Sequence, residues 1–431
     1  MTNTFFIWVG HQDDNLMKTV ITRIEKSKMQ DKILFPGIRT EDLDVFYSGA
    51  DIFLLTSRED PFPSVVLDAM NAQVPVIGFV DAGGFQDIIT KDAGILVPFL
   101  DREKMSEAVT TLLNNPDMRD YLGRNASKLI EKRFLFLDYV YSLLAFLNHT
   151  YKKVSVVIPN FNYEHYLNER VSSILQQTYP IYEIIFLDDA SSDNSVEFIR
   201  NFAAKSQIPV KILLNKQNSG TVFRQWSKGI SLASGDYIWI AEADDLSEDT
   251  FVDEVIAGFD DDEVVLSYSQ SRQIDSRGNI LGNNYFEYTN DIDKMKWKND
   301  YKREGKQEIC DTMVIKNSIP NVSGAIFKKY DISKILDELV NYKVAGDWYF
   351  YVWLLTKGSI SYHSKSLNLH RRHNKSITIS ENAKQHFNEI VSVQDYIIKN
   401  FPIEENTLKK VFKYRENVKK YLLKQANSRN V

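Results

Sequence analysis

The sequence predicts an α/β protein built from two parallel-sheet modules in tandem, on three observations. Short apolar runs alternate with amphipathic helical patterns over roughly the first third of the chain, the rhythm of βαβ units. The same alternation restarts at Val154 after a very short linker. In this second stretch, polar and acidic residues recur where apolar runs end, the place where open α/β sheets bind ligands. Tyr237–Asp245, reading YIWIAEADD, is the sharpest case: an apolar strand that ends in Glu242, Asp244 and Asp245. Carboxylates at the end of a buried strand cost stability unless their charge is compensated. A hard divalent cation carrying a diphosphate is one compensation, since such cations take oxygen ligands and leave positions open for phosphates. A solvated acidic turn is the plainer reading of the same residues.

In the first module, strands are predicted at Phe5–Val9, Ile33–Phe35, Ile52–Thr56, Val74–Phe79 and Ile95–Val97. Helices at Ser64–Asn71 and Lys104–Asn114 separate them, and one long helix from about Arg119 to His149 closes the module. The second module opens with a strand at Ser155–Ile158, a helix at Val171–Gln177 and a strand at Glu183–Leu187 ending in Asp188 and Asp189. A helix at Ser195–Ala204, a strand at Val210–Leu214, a helix at Gln225–Ala233 and the acidic strand follow. Past Thr250 the pattern turns irregular and aromatic, and Asn283–Gly305 reads as an acceptor-side region. Helical patterning returns at Gly346–Lys357. The domains expected are residues 1–150, 151–380 and a basic helical tail at 381–431. From Leu408 the tail holds eight Lys and Arg against the single Glu416. Clustered cations of this kind suit peripheral contact with an anionic membrane face at about 1 kcal/mol each, and a solvated terminal helix equally.

Composition excludes several classes. A formal net charge of −6 argues against general nucleic-acid binding, which wants a basic face. Cys310 is the only cysteine, so no disulfide framework or thiolate metal site can form, as expected in a reducing, cytoplasmic setting. The longest apolar segment, Phe134 to Leu147, is broken by Asp138 and Ser142 and is too short to span a bilayer.

The order of motifs from Val154 to Thr378 resembles glycosyltransferase family 2, the nucleotide-sugar enzymes of the GT-A fold. SVVIPNFNYEHYL is similar to the family's first strand and nucleotide-contacting turn, and FLDDASSDNS to its second. NSGTVFRQWSKGISLASGDYIWIAEADD resembles the following helix and metal motif, GDWYF the helix start bearing the catalytic base, and HRRHNKSIT the late basic turn. The resemblance implies that Pro159, Asn160, Tyr163, Asp188, Asp189, Arg224, Lys228, Glu242, Ala243 and Arg371 contact a UDP- or dTDP-linked sugar. It implies that Asp244 and His373 hold Mn²⁺ or Mg²⁺, which neutralises the diphosphate leaving group. Asp347 is implied as general base, with Asp also a favoured helix cap. The chemistry expected is inverting transfer to a glycan or lipid-linked glycan hydroxyl in bacterial surface polysaccharide synthesis. Glu242 stands where the family more often has Asp, and Gly346 where it usually has an acid. A non-catalytic scaffold of a glycan-assembly complex is the alternative.

SREDPFPSVVLDAMNAQVPVI in the first module resembles the donor-side motif of glycosyltransferase family 4, of the GT-B fold. Asp60 and Asp68 hold the family's spacing of two acids, and Ser64 opens a helix whose N–H groups suit a diphosphate. The family's acceptor lobe and its basic diphosphate clamp are missing, so this is expected to be half of a GT-B fold with a vestigial donor motif and no transfer activity of its own.

Overall fold

The computed structural model describes residues 4–134, 136–147, 151–373 and 383–428. The chain divides into two compact units, Met1–Thr150 and Tyr151–Val431.

In the first unit, strands Phe53–Leu55, Val76–Phe79 and Gly94–Val97 form a parallel sheet. Helices Ser64–Asn71, Arg102–Leu113 and Pro116–Arg133 supply its core partners, among them Val66, Met70, Leu112 and Leu122. The expected strands are present but do not share one sheet: Phe6–Val9 and Ile33–Gly37 pair separately, in parallel. Among the described residues 4–46, Met17 alone is buried, so this segment adds no buried layer to the core. The long closing helix is also broken, into Pro116–Arg133 and Phe136–Phe146. Phe134 leaves helical geometry (φ −123°, ψ 38°) and packs its ring against Phe62.

The second unit is organised by one ten-stranded sheet. Its path runs Leu246–Ser247, Ser359–Arg371, Val264–Ile274, Ala325–Lys328, Tyr237–Ile240, Val154–Asn160, Glu183–Asp188 and Val210–Leu214. Strands Ile280–Gly282 and Tyr301–Arg303 pair off that path. The last four strands of the path are mutually parallel, and Ala325–Lys328 joins them antiparallel. Alternate side chains enter opposite layers, as the period of a strand dictates: Val157, Ile185 and Ile240 face one core, Ile158, Phe186 and Trp239 the other.

Two differences from the sequence reading bear on the site. The region past Thr250, read as irregular, contributes the strands Val264–Ile274 and Ser359–Arg371. Their signal was masked because Ser267, Ser269, Gln270, Ser271 and Asn368 are buried polar residues, which break the apolar pattern. The stretch read as a basic tail forms helices Ala383–Asn400 and Glu405–Ser428, and Ile390, Val393, Ile397 and Val411 enter the larger core. Residues 374–378 of the late basic motif and Asn148–Thr150 lie outside the described residues.

Gly123 marks a close backbone approach in the first unit. A Cβ there would lie 1.9 Å from the backbone oxygen of Gln73, itself held at φ 61°. Gly123→Ala is therefore expected to destabilise this unit by about 1–3 kcal/mol, seen as a lower urea midpoint.

Candidate active site

The carboxyl ends of the parallel strands form the rim. Asn160 and Asp188 are register partners. The Asn160 amide donates to Asp188 Oδ2 (2.9 Å) and Ser191 Oγ (3.1 Å), and the Ser191 N–H donates to Asp188 Oδ1 (2.9 Å). Pro159 is buried within its strand. Asp189 accepts from Asn215 Nδ2 (2.6 Å), Ser219 N (2.8 Å), Ser219 Oγ (2.8 Å) and Gln225 Nε2 (2.6 Å). A carboxylate offers about four lone-pair sites, so protein donors saturate Asp189, and it fixes the 215–225 segment. Lys228 Nζ donates to Asn215 Oδ1 (2.7 Å), and Arg224 is exposed on the Val222–Leu232 helix. Sequence reasoning grouped these residues as ligand contacts, and within the protein Asp189 and Lys228 also hold the turn at Asn215.

The acidic loop divides its three carboxylates among different tasks. Asp245 is buried and accepts from Asn321 Nδ2 (2.9 Å), Ser323 Oγ (2.7 Å) and Arg371 N (2.8 Å). Glu242 donates its N–H to Ser323 Oγ (3.0 Å) and accepts from the Trp226 indole (3.3 Å). Burial, then the neighbouring Asp244 and Asp245, push its carboxyl up to about 8. Ala243 between them is buried. Asp244 Oδ2 stands 2.8 Å from His373 Nε2. The rings of Tyr163 and Tyr166 flank that imidazole, each at 5.8 Å between centroids. Burial, and after it Asp244, raises the Tyr163 hydroxyl.

Two guanidinium groups compensate the loop from behind. Arg170 is fully buried, donates to Ser247 Oγ (2.9 Å) and lies 4.8 Å from the Trp239 ring centroid. Its Nε and Nη2 find no hydrogen-bond partner among the described residues. Desolvation lowers it to about 10, opposed by Asp245, Asp244 and Glu242. Arg371, expected to contact the sugar nucleotide, is instead a buried clamp. It donates to the carbonyls of Asp244 (2.6 Å), Asp275 and Ser276 (both 3.2 Å) and to Glu169 Oε2 (2.8 Å). Every guanidinium nitrogen is engaged within the protein, and only its neighbour Arg372 lines the adjoining cavity.

Asp244 and His373 are the side chains that could hold a divalent cation. Among the described residues no group of three or more His, Cys, Asp and Glu gathers as a metal centre. A carboxylate oxygen and an imidazole nitrogen already in contact fit a cation that takes its other ligands from phosphate oxygens and water.

Asp347 lies in the first turn of the Gly346–Leu355 helix rather than at its cap, which is Ala345. Its Oδ1 accepts from Trp348 N (2.7 Å) and its Oδ2 from Asn317 Nδ2 (3.0 Å). Burial pushes the carboxyl up to about 7. It opens on a cavity of about 390 Å³ shared with Trp226, Tyr285, Tyr288, Asn321, His370 and Arg372. Trp226 holds Glu242 and Asn321 holds Asp245, so one cavity joins Asp347 to the acidic loop. The Tyr285 hydroxyl meets His370 Nδ1 at 2.6 Å and their rings stack. Gly346 has a packing cause: a Cβ there would lie 2.4 Å from two carbons of the Phe223 ring. In the first unit, Asp60 is half-buried while Ser64 and Asp68 are exposed. Arg170, Asn317, Asn321 and Ser323 escaped sequence reasoning, because each is an ordinary residue far along the chain from the carboxylate it serves.

Comparison with known proteins sets the class. Residues 155–317 match Glycosyl transferase family 2 and residues 2–129 match Glycosyl transferases group 1, in the order the motifs imply. The chain is a glycosyltransferase, with a GT-A domain preceded by a GT-B-like segment. It is 26% identical over 238 residues to an uncharacterized glycosyltransferase of Haemophilus influenzae, covering 54% of this chain and 69% of that protein. Over 93 residues it is 33% identical to WfgD of Escherichia coli, a UDP-Glc:alpha-D-GlcNAc-diphosphoundecaprenol beta-1,3-glucosyltransferase, covering 22% of this chain and 35% of that one. Among solved structures, S. aureus TarS in complex with UDP aligns at 16% identity and a TM-score of 0.44, covering 63% of this chain and 70% of that one. Among the described residues, no helix is long and apolar enough to cross a membrane.

Gly346→Ala is expected to cost about 1–3 kcal/mol by driving a methyl group into Phe223. The double variant Gly346→Ala with Phe223→Leu should recover part of that loss in urea unfolding.

Proposed function

We propose that the second unit transfers a sugar from a UDP- or dTDP-linked donor to a glycan hydroxyl, with inversion, in the assembly of a bacterial surface polysaccharide. The observation that carries this reading is the single cavity shared by Asp347 and the partners of the acidic loop. Asp347 and residues that hold Glu242 and Asp245 line one space of about 390 Å³, which supports reading them as a base and an anion-handling rim. The acceptor is a glycan or a lipid-linked glycan, supported by the diphosphoundecaprenol-linked acceptor that the similar E. coli enzyme WfgD is named for.

In the reaction, the acceptor O–H gives its proton to Asp347 as its oxygen bonds to the anomeric carbon. The anomeric C–O bond to phosphate breaks, and the nucleoside diphosphate leaves with the electron pair. Asp347 suits the base role because burial holds its carboxyl up at about 7, where a base is strongest yet still ionised near neutral pH. Asn317 and the Trp348 N–H orient its two oxygens. Asp244 and His373 would hold a divalent cation, which when bound would neutralise charge on the leaving diphosphate. Tyr163 and Tyr166 fix the imidazole for that contact. Trp226, Tyr285 and Tyr288 give the cavity apolar ring faces, on which the C–H faces of a sugar can lie.

A donor screen for nucleotide release tests the whole. Release from one donor should require Mn²⁺ or Mg²⁺ and be abolished in Asp244→Ala, with His373→Ala raising the metal concentration needed. No release and no nucleotide binding with any donor would favour the scaffold. Asp347→Asn should reduce kcat by about 10²–10⁴-fold with nucleotide affinity unchanged. The base acts deprotonated, so the rate should rise with pH through about 7 and fall tenfold per pH unit below it; a limb near 4 would remove Asp347 from the role.

A further inference from the structure

Glu389 belongs to the Ala383–Asn400 helix, remote in sequence from every motif, and is only 7% exposed. Its carboxylate accepts from three consecutive backbone N–H groups in the turn that leads into the Asp347 helix. Lys343 N reaches both oxygens at 3.0 Å, and Val344 N (2.8 Å) and Ala345 N (3.1 Å) reach Oε2. Gln385 Nε2 adds a bond to Oε1 at 3.1 Å. The helix that carries Glu389 cannot drift. Val393 and Ile397 are fully buried in the core, and Gln394 donates to the Ile315 carbonyl (2.7 Å) while accepting from Arg415 Nε (2.7 Å).

We propose that Glu389 is a positioning residue for the general base. It binds the 343–345 turn as an anion and so sets both where Asp347 stands and how basic it is. The inference rests on the reading of Asp347 as base. The N-terminal N–H groups of a helix point outward with no intrahelical partner and carry partial positive charge. Left free, they would favour an ionised, weakly basic carboxylate in the first turn, which is where Asp347 lies. Glu389 takes up one such donor, the N–H of the cap residue Ala345, together with the Lys343 and Val344 N–H groups of the preceding turn, and places a negative charge beside them, which opposes ionisation of Asp347. That charge adds to the raising effect of burial.

Other titratable groups also face this space. Tyr351 on the same helix feels both Asp347 and Glu242, and Tyr288 feels Asp347. Lys343, His370, Arg372, His386 and Tyr414 line the cavity. Among all of them, Glu389 is the group that acts on Asp347 as a like charge. The Lys343 ammonium is turned away, donating to the Gly220 carbonyl (2.8 Å).

The test compares the full-length protein with Glu389→Gln and Glu389→Asp. Hydrogen exchange is read first, because it needs no substrate. Glu389→Gln should speed exchange of the 343–349 amides while the central strands keep their protection. Unchanged protection there overturns the proposal. In turnover, Glu389→Gln should lower kcat at least about tenfold, leave the metal requirement and donor KM unchanged, and move the acid limb to lower pH. A shift in that direction is what loss of a like charge produces and what simple loosening of the turn does not. Should Glu389→Gln fail to fold, Glu389→Asp decides, since it keeps the charge but shortens the reach. Faster exchange at 343–349, with a reduced kcat and an unmoved limb, supports the proposal; wild-type exchange and kcat overturn it. If Asp347→Asn retains full activity, the base reading itself fails. If Asp347→Asn is inactive while Glu389→Gln behaves as wild type, only the role of Glu389 fails.

Discussion

The second unit is arranged around one constraint, the need to hold three carboxylates at the end of a buried strand. Ionised groups in such a place cost several kcal/mol each unless partners replace lost water. The chain supplies those partners from three separate segments. Arg170 lies beneath the loop, the Arg371 backbone and guanidinium lie beside it, and Asn321 and Ser323 come from the turn before Ala325–Lys328. Asp245 is consumed in this framework, and its bonds leave Asp244 standing at the rim against His373. An acidic triplet that reads as three equivalent ligands is therefore one structural acid, one protonation-prone acid and one acid paired with an imidazole at the rim.

The same division of labour holds at the second strand end. Asp188 and Asp189 are neighbours in sequence, yet Asp188 bonds Ser191 and Asn160, whereas Asp189 ties down the 215–225 segment. Burying a hydrogen-bonded carboxylate is a costly way to fix a loop, and it gives a geometry that apolar packing would leave looser. The rim is rigid because its acids are spent on each other's surroundings.

Asp347, which lines the same cavity, is carried by a helix whose first turn is wedged. Phe223 fills the space where a side chain at position 346 would sit, and Trp226 stacks edge-on to that ring while holding Glu242. The Val222–Leu232 helix thus touches both the base helix and the acidic loop, so the distance between the two halves of the site is set by one apolar element. The C-terminal helices complete this wall through Ile390 and Tyr414.

By itself the sequence determined the α/β class, the order of the two glycosyltransferase segments and most strand positions. These are legible because strand periodicity, Gly and acidic punctuation and motif order are local properties of the chain. Tertiary structure decided the rest. It separated Phe6–Val9 and Ile33–Gly37 from the sheet their pattern suggests, and it turned Arg371 from a ligand contact into a clamp. It also brought Arg170, Asn317, Asn321, Ser323 and Glu389 to carboxylates that lie far from them along the chain. A hydrogen bond depends on where two groups meet in space, and a buried Ser or Glu carries no mark in the sequence of the partner that makes its burial tolerable.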